Sequence, residues 1–272
     1  MCIRDSMTPS GPKKTSSEVE MSGRQANTMS HCRVTSAEDE AEIYSHLDLQ
    51  WVPPELREDS GEIEAAETGS LPNLMEASML KGAFHNHTTA SDGTATLSQM
   101  AEAAQDLGWE FLGIADHSQI LQIASGLSPD ELVAQAAEVR ALNENWADKG
   151  VDFRLFHGNE CDILPDGGLD YTDEERNILD HVVGSVHQLP TWMKRDEDVN
   201  TEALIRAIEN PSLTILGHPT GRILGGRDGF AVDLHAVIRR MGELNAEGEL
   251  KVVEINASPY RCLLYTSDAA DE

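Results

Sequence analysis

The stretch FHNHTTASDG, residues 84–93, decides how the rest of this chain is read. His85 and His87 stand two apart, and the preceding Lys81, Gly82, Ala83 and Phe84 read as a short strand. Residues i and i+2 of a strand share a face, so both imidazoles are expected to point one way where the strand becomes a loop. Neutral imidazole is the commonest protein nitrogen ligand for zinc and suits iron, copper and nickel as well. Downstream, apolar runs end in the same kinds of residue. FLGIADHS closes on Asp116 and His117, and FRLFHGNECDIL carries Glu160 and Asp162. HVVGSVHQ ends in His187, LTILGHPTGR reaches His218, and Asp92 lies just past the first pair. Helical patterns fill the gaps at 97–107, 129–146, 201–209 and 233–244. Strands alternating with helices predict βα units around a parallel sheet or barrel. In such barrels chemistry gathers at the C-terminal ends of the strands, so a polynuclear metal site is expected there.

Bulk properties narrow the classes. The chain has 272 residues, of which 40% are hydrophobic, enough for a core. No run approaches the ~18 apolar residues of a membrane span, and no leader resembles a signal peptide. Cys2, Cys32, Cys161 and Cys262 show no paired spacing, which argues against a disulfide framework or a cysteine zinc site and for a reducing cytoplasm. The 48 Asp and Glu against 20 Lys and Arg give a net charge of −28 with His neutral. That field opposes broad electrostatic binding to nucleic acid, while bound divalent ions would offset it locally.

Four zones follow. Residues 1–32 are polar, show no sustained apolar period and read as a disordered tail. Its opening MCIRDS, before a second methionine at Met7, resembles translated adapter sequence, as does the closing segment 262–272. Residues 33–80 read as a connector. An acidic helix start from Ser36 precedes Ile43, Tyr44 and Leu47, and Pro53 and Pro54 impose an extended step in WVPPELRE. Residues 81–261 carry the βα pattern and the candidate ligands.

The motifs LKGAFHNHTTASDG, ADHS, GNECDIL, GSVH, GHPTGR and EINASPYR, with the connector WVPPELREDSGEIEAA, resemble the C-terminal part of bacterial family X DNA polymerases. That part is a PHP (polymerase and histidinol phosphatase) domain, and the resemblance runs from about residue 33 to Arg261. It implies an α/β fold, a distorted seven-stranded barrel acting as a metal-dependent phosphoesterase. It also implies a polymerase domain normally on the same chain. Residue by residue, it implies up to three ions. His85 and His87 would hold the first, which Glu160 would bridge to the second. His187 and His218 would complete the second, and Asp92 and His117 would hold the third. Manganese is the expected ion, with zinc as the other candidate. Arg222 is the candidate phosphate contact, since guanidinium matches phosphate geometry.

Two departures from the family pattern stand out. Ala83 replaces the usual acidic residue just before the metal strand. After Arg261 the family's last helix and its strand with an Asp-x-His pair are missing, and Asp268 is not counted as a ligand. The sheet is therefore expected to be open between GAFHNH and VVEINAS, with His85, His87, Glu160, His187 and His218 still converging. The remaining histidines are expected to be bland. His157 and His181 lie deeper in their strands as core, His235 is solvent-exposed on a helix, and His31 and His46 lie outside the barrel. Asp116 and Asp162 are expected to orient ligands or cap loops. No serine or cysteine triad pattern is apparent. The leading functional expectation is a 3′–5′ exonuclease or 3′-end-processing activity on DNA. The alternatives are a small-molecule phosphatase of the histidinol-phosphate type and a non-catalytic module supporting a polymerase.

Overall fold

The computed structural model describes residues 39–57, 59–223 and 225–256. Two compact units divide the chain, Met1–Pro72 and Asn73–Glu272. In the first, helix α1 (Glu40–His46) is capped by Asp39, whose carboxylate accepts the Glu42 N–H at 2.9 Å. Ser36, where the helix was expected to start, lies outside the described residues. Pro53 takes the extended conformation foreseen for it, but Pro54 opens a single 3-10 turn, a position where its missing N–H costs nothing. Helix α2 (Glu62–Thr68) follows. Arg57 pairs with Glu40 at 2.7 Å and also donates to the Val52 carbonyl. Both partners are exposed, so solvent screening leaves the pair little weight in stability.

The second unit is built on five parallel strands in the order β1 (Phe111–His117), β2 (Arg154–Asp162), β3 (His181–Ser185), β4 (Ile215–Leu216) and β5 (Val252–Val253). Helices α3 (Leu97–Asp106), α4 (Pro129–Asp148), α5 (Asp173–Arg176), α6 (Leu189–Trp192), α7 (Glu197–Ile208) and α8 (Leu234–Ala246) occupy the connections. Capping boxes start α3 and α4, at Thr96 with Gln99 and at Ser128 with Glu131, each satisfying two otherwise orphaned donors. Helix α7 begins at Glu197, before the expected residue 201, and its acidic first turn of Glu197 and Asp198 complements the helix dipole.

Strand alternation sorts the side chains. Leu112, Ile114 and Leu155 pack with Leu97, Ala101 and Val139 of the covering helices. Farther along the same helix-covered face, a second core joins Trp192, Leu204, Ile208, Val237 and Met241 to Cys161, Val182 and Leu216. The opposite, inner strand face holds a small cluster of Ala115, Val183 and Ile215, with the titratable residues at the strand ends above it. Lower on that face His181 fills space left by a glycine, since a Cβ on Gly158 would lie 2.2 Å from the imidazole. The sheet is open: β1 and β5 end the strand order and are not neighbours.

Residues 81–84 do not form the expected strand. Gly113 N–H donates to Ala83 O at 2.7 Å and Ala115 N–H to Asn86 O at 2.8 Å. Three steps on this segment therefore face two on β1, as in a bulge. The Asn86 side-chain amide fills the gap, donating to Gly113 O at 2.9 Å and Ala83 O at 3.3 Å. A carboxamide thus replaces the regular ladder between the two histidines.

His157 and His181 are buried, as expected, and His235 is exposed. His46 ends α1 and takes no part in the sheet. Burial pushes the His157 imidazole down to about 4, against a neighbouring Asp180 that pulls the other way. Between pH 6.5 and 4 the unfolded chain therefore takes up a proton that the folded chain refuses. Stability falls as pH falls through that window, by ~3 kcal/mol from this group. Denaturant unfolding of the parent and of His157→Gln across that window checks it: the variant should lose correspondingly less. Equal losses would show that His157 does not carry the effect.

Candidate metal centre

The strand ends of the second unit converge on one carboxylate. Glu160, two residues before the end of β2, is 1% exposed. Its Oε1 lies 3.2 Å from His85 Nε2, 3.2 Å from His187 Nε2 and 2.8 Å from His218 Nε2. Its Oε2 lies 3.0 Å from His117 Nδ1 and 3.5 Å from His87 Nε2. Asp92 stands on the His87 and His117 side, 3.6 Å and 3.5 Å from their ring nitrogens. All seven border one pocket of about 480 Å³. The expected convergence of His85, His87, Glu160, His187 and His218 is therefore what the fold produces.

Backbone and side-chain anchors hold this arrangement. Asp116 is fully buried and accepts from Thr88 N–H, Thr88 Oγ1, Ser91 Oγ and Gln135 Nε2 at 2.6 to 2.7 Å. It fastens the turn between His87 and Asp92 and takes no place in the ring. Asp162 Oδ2 lies 3.2 Å from His187 Nδ1, on the far side of the imidazole from Glu160. Both aspartates thus do the orienting work expected of them.

Glu254, just past β5, is the residue that sequence reasoning missed. Its Oε1 is 2.6 Å from His85 Nδ1, and its Oε2 accepts the His218 N–H at 2.9 Å. His218 sits at φ 22°, outside the comfortable range for a side-chain-bearing residue, and this bond helps hold it there. The signal was available, because Glu254 ends the apolar run KVVEIN as Glu160 and His187 end theirs. Arg222 is half-buried on the loop after His218 and does not line the pocket.

The electrostatics follow from crowding five imidazoles around one buried carboxylate. Burial opposes ionisation of Glu160, yet the surrounding imidazoles outweigh it and hold the carboxyl well below its usual range. Burial alone would lower His85, but the Glu160 and Glu254 charges raise it to about 10. His187 is raised to about 9 by Asp162 and Glu160 in spite of its burial. Burial, together with the neighbouring His117 and His85, lowers His87. His117 Nδ1 faces Glu160 Oε2 without hydrogen-bond alignment, and His87 Nδ1 is buried without a hydrogen-bond partner. Three groupings bring ligand atoms within 4.8 Å of one another and could hold an ion: His85, His87 and Glu160; His87, Asp92 and His117; and His117, Glu160 and His187. An all-nitrogen-and-oxygen donor set fits first-row divalent metals, and the carboxylates behind His85 and His187 are the partners such ligands usually have. Cys161, buried and donating to Asp170 O at 3.0 Å, has its thiol pushed up by burial and does not join the set. No described helix is long and apolar enough to cross a membrane.

Known proteins match this sequence. The family model described as PHP domain matches residues 83–258, and the one described as DNA polymerase beta thumb matches residues 16–58. The DNA polymerase/3′-5′ exonuclease PolX of Bacillus subtilis is 37% identical over 227 residues, covering 84% of this chain and 37% of that protein. A protein named "Probable phosphatase" from Clostridium acetobutylicum is 29% identical over 176 residues, covering 64% of this chain and 63% of that one. Among solved structures, one assigned to a histidinol phosphatase, HisK, from Listeria monocytogenes has a TM-score of 0.44 at 14% identity, covering 61% of this chain and 78% of its own. This chain thus spans little more than a third of the PolX protein and under two thirds of the phosphatase relative. The PHP match contains every member of the imidazole ring and Glu254, and on that match the chain belongs to the PHP domain family.

Proposed function

We propose that this chain is a metal-dependent phosphoesterase that shortens or cleans DNA 3′ ends beside a polymerase. The observation that carries the reading is the buried Glu160 carboxylate, with His85, His187 and His218 around one oxygen and His87 and His117 around the other. A carboxylate so placed can bridge ions. We assign His85 and His87 to a first, Glu160, His187 and His218 to a second, and Asp92 and His117 to a third, with manganese preferred over zinc. Bound there, divalent ions would supply an activated water near neutral pH and neutralise charge on the phosphoryl oxygens. Glu254 and Asp162 hold the imidazoles of His85 and His187 in one orientation. Asp116 holds the turn that presents Asp92. In the reaction, water adds to phosphorus and the bond to the 3′ oxygen breaks. A proton goes to that oxygen, leaving a 3′-hydroxyl end and a nucleoside 5′-monophosphate.

The polymerase setting is supported by the thumb match at residues 16–58 and by the PolX relative. We propose residues 81–261 as the phosphoesterase domain and 33–80 as the connector. The tail at 1–32 and the segment at 262–272 lie outside the described residues. The net charge of −28 favours contact with a strand end over contact along a duplex. Arg222 remains the candidate phosphate contact from the loop after His218. A second reading, a small-molecule phosphatase, is favoured by the relative named as a phosphatase.

The test compares a 5′-labelled oligonucleotide with a small phosphomonoester, each with manganese and with chelator. Stepwise shortening from the 3′ end, at kcat/KM at least roughly tenfold above the monoester, is expected. Monoester turnover without shortening would establish the phosphatase reading instead. Turnover of neither by the metal-loaded protein would leave a non-catalytic module.

A further inference from the structure

The loop after β1 places apolar side chains beside the imidazole ring. Leu121, Ile123 and Ala124 line the same pocket as His85, His117 and Glu160. Ile123 is 95% exposed, the most exposed of the large hydrophobic side chains in the described residues. A surface isoleucine is unremarkable on a free loop. This one is held firmly. Asp170 accepts from Ile120 N–H at 2.9 Å and from Gln119 Nε2 at 3.2 Å. Leu127 N–H returns to His117 O at 2.8 Å, and Gly126 N–H to Leu121 O at 3.2 Å. Only glycine fits at 126, where a Cβ would lie 1.9 Å from Ser118 O. The ten residues from Ser118 to Leu127 thus close on themselves through a bridge between their ends, with Ile123 near the tip.

The pocket's other wall lacks what a phosphate ester usually meets. None of its described lining residues is lysine or arginine. Beyond the seven titratable residues, its described lining is Leu121, Ile123, Ala124 and Asn256, so the organic group that a phosphate carries meets mainly apolar surface there.

We propose that Ile123, supported by Leu121, is the nucleoside contact of this site. It packs against the base and sugar of the nucleotide whose phosphate lies at the imidazole ring. The proposal rests on the phosphoesterase reading and names its substrate class: a nucleoside 5′-phosphate unit rather than a small alkyl phosphate. The loop's closure means that it is ordered before the ligand arrives, which lowers the entropic cost of binding.

The experiment measures binding of thymidine 5′-monophosphate and of inorganic phosphate to the full chain loaded with manganese, by calorimetry. The parent should bind the nucleotide more tightly than phosphate. In Ile123→Ser the ratio of the two affinities should fall about tenfold, and in Ile123→Leu it should return. Because Ile123 is almost wholly exposed, neither change disturbs the core. A ratio unchanged in Ile123→Ser, or a parent with no preference for the nucleotide, overturns the proposal. Hydrolysis of the p-nitrophenyl ester of thymidine 5′-monophosphate is followed in parallel. If the parent binds the nucleotide through Ile123 but never cleaves the ester, the phosphoesterase reading falls and the nucleoside contact stands.

Discussion

Glu160→Gln is expected to lower phosphoester turnover by far more than the roughly 10–100-fold that removing an outer partner of a metal ligand costs. The glutamine keeps the shape of the side chain, so packing around β2 should survive. What it removes is the one negative charge that five imidazoles face at 2.8 to 3.5 Å. In its place it puts an amide whose NH₂ can only repel a cation on its side. Without the carboxylate, the Glu160 share of the charge that raises His85 and His187 vanishes, leaving Glu254 and Asp162 alone behind those rings. Metal content by mass spectrometry should drop together with turnover, while far-UV circular dichroism stays parental. Near-parental turnover with undiminished metal would mean that Glu160 is not the shared ligand and that the ring is a structural ion network.

Glu254→Ala should cost ~10–100-fold in metal affinity or turnover without a comparable loss of fold. The variant deprives His85 Nδ1 of its partner at 2.6 Å, so the ring is free to turn its other nitrogen away from Glu160. It also frees the His218 N–H, held at 2.9 Å while the residue sits at φ 22°. One substitution thus loosens two of the three imidazoles at Oε1. If Glu254 acts through His85, combining Glu254→Ala with His85→Ala should cost much less than the product of the single losses. Fully multiplicative losses would show that the two residues act separately. Asp162→Ala is the matching change behind His187 and should behave alike, since its carboxylate stands 3.2 Å from Nδ1 of that ring.

Much of this was legible before any coordinates. The helical patterns at 97–107 and 129–146 place α3 and α4 to within two residues of their observed ends. Runs such as FLGIADH and FRLFHGNECD are strands because their alternating residues suit one face toward helices and one toward a narrow interior. The parallel order follows from the helix between each pair. That His, Asp and Glu recur where these runs stop was enough to nominate His85, His87, Asp92, His117, Glu160, His187 and His218, and the fold brings all seven to one pocket.

Other features depended on which residues meet across the sheet. Glu254 follows an apolar run by the same rule, but its importance lies in reaching His85, 169 residues away, and no local pattern encodes that distance. Residues 81–84 carry a strand-like sequence, yet an extra residue against β1 makes a bulge there that the Asn86 amide bridges. The exposed Ile123 is indistinguishable in sequence from a core isoleucine until the closed loop sets it at the pocket's edge. The sequence by itself determined the elements, the faces of the strands and the donor chemistry, because these follow from local periodicity and residue type. Only the tertiary structure decided which imidazole meets which carboxylate oxygen, because pairings between distant segments depend on register, bulges and loop closure.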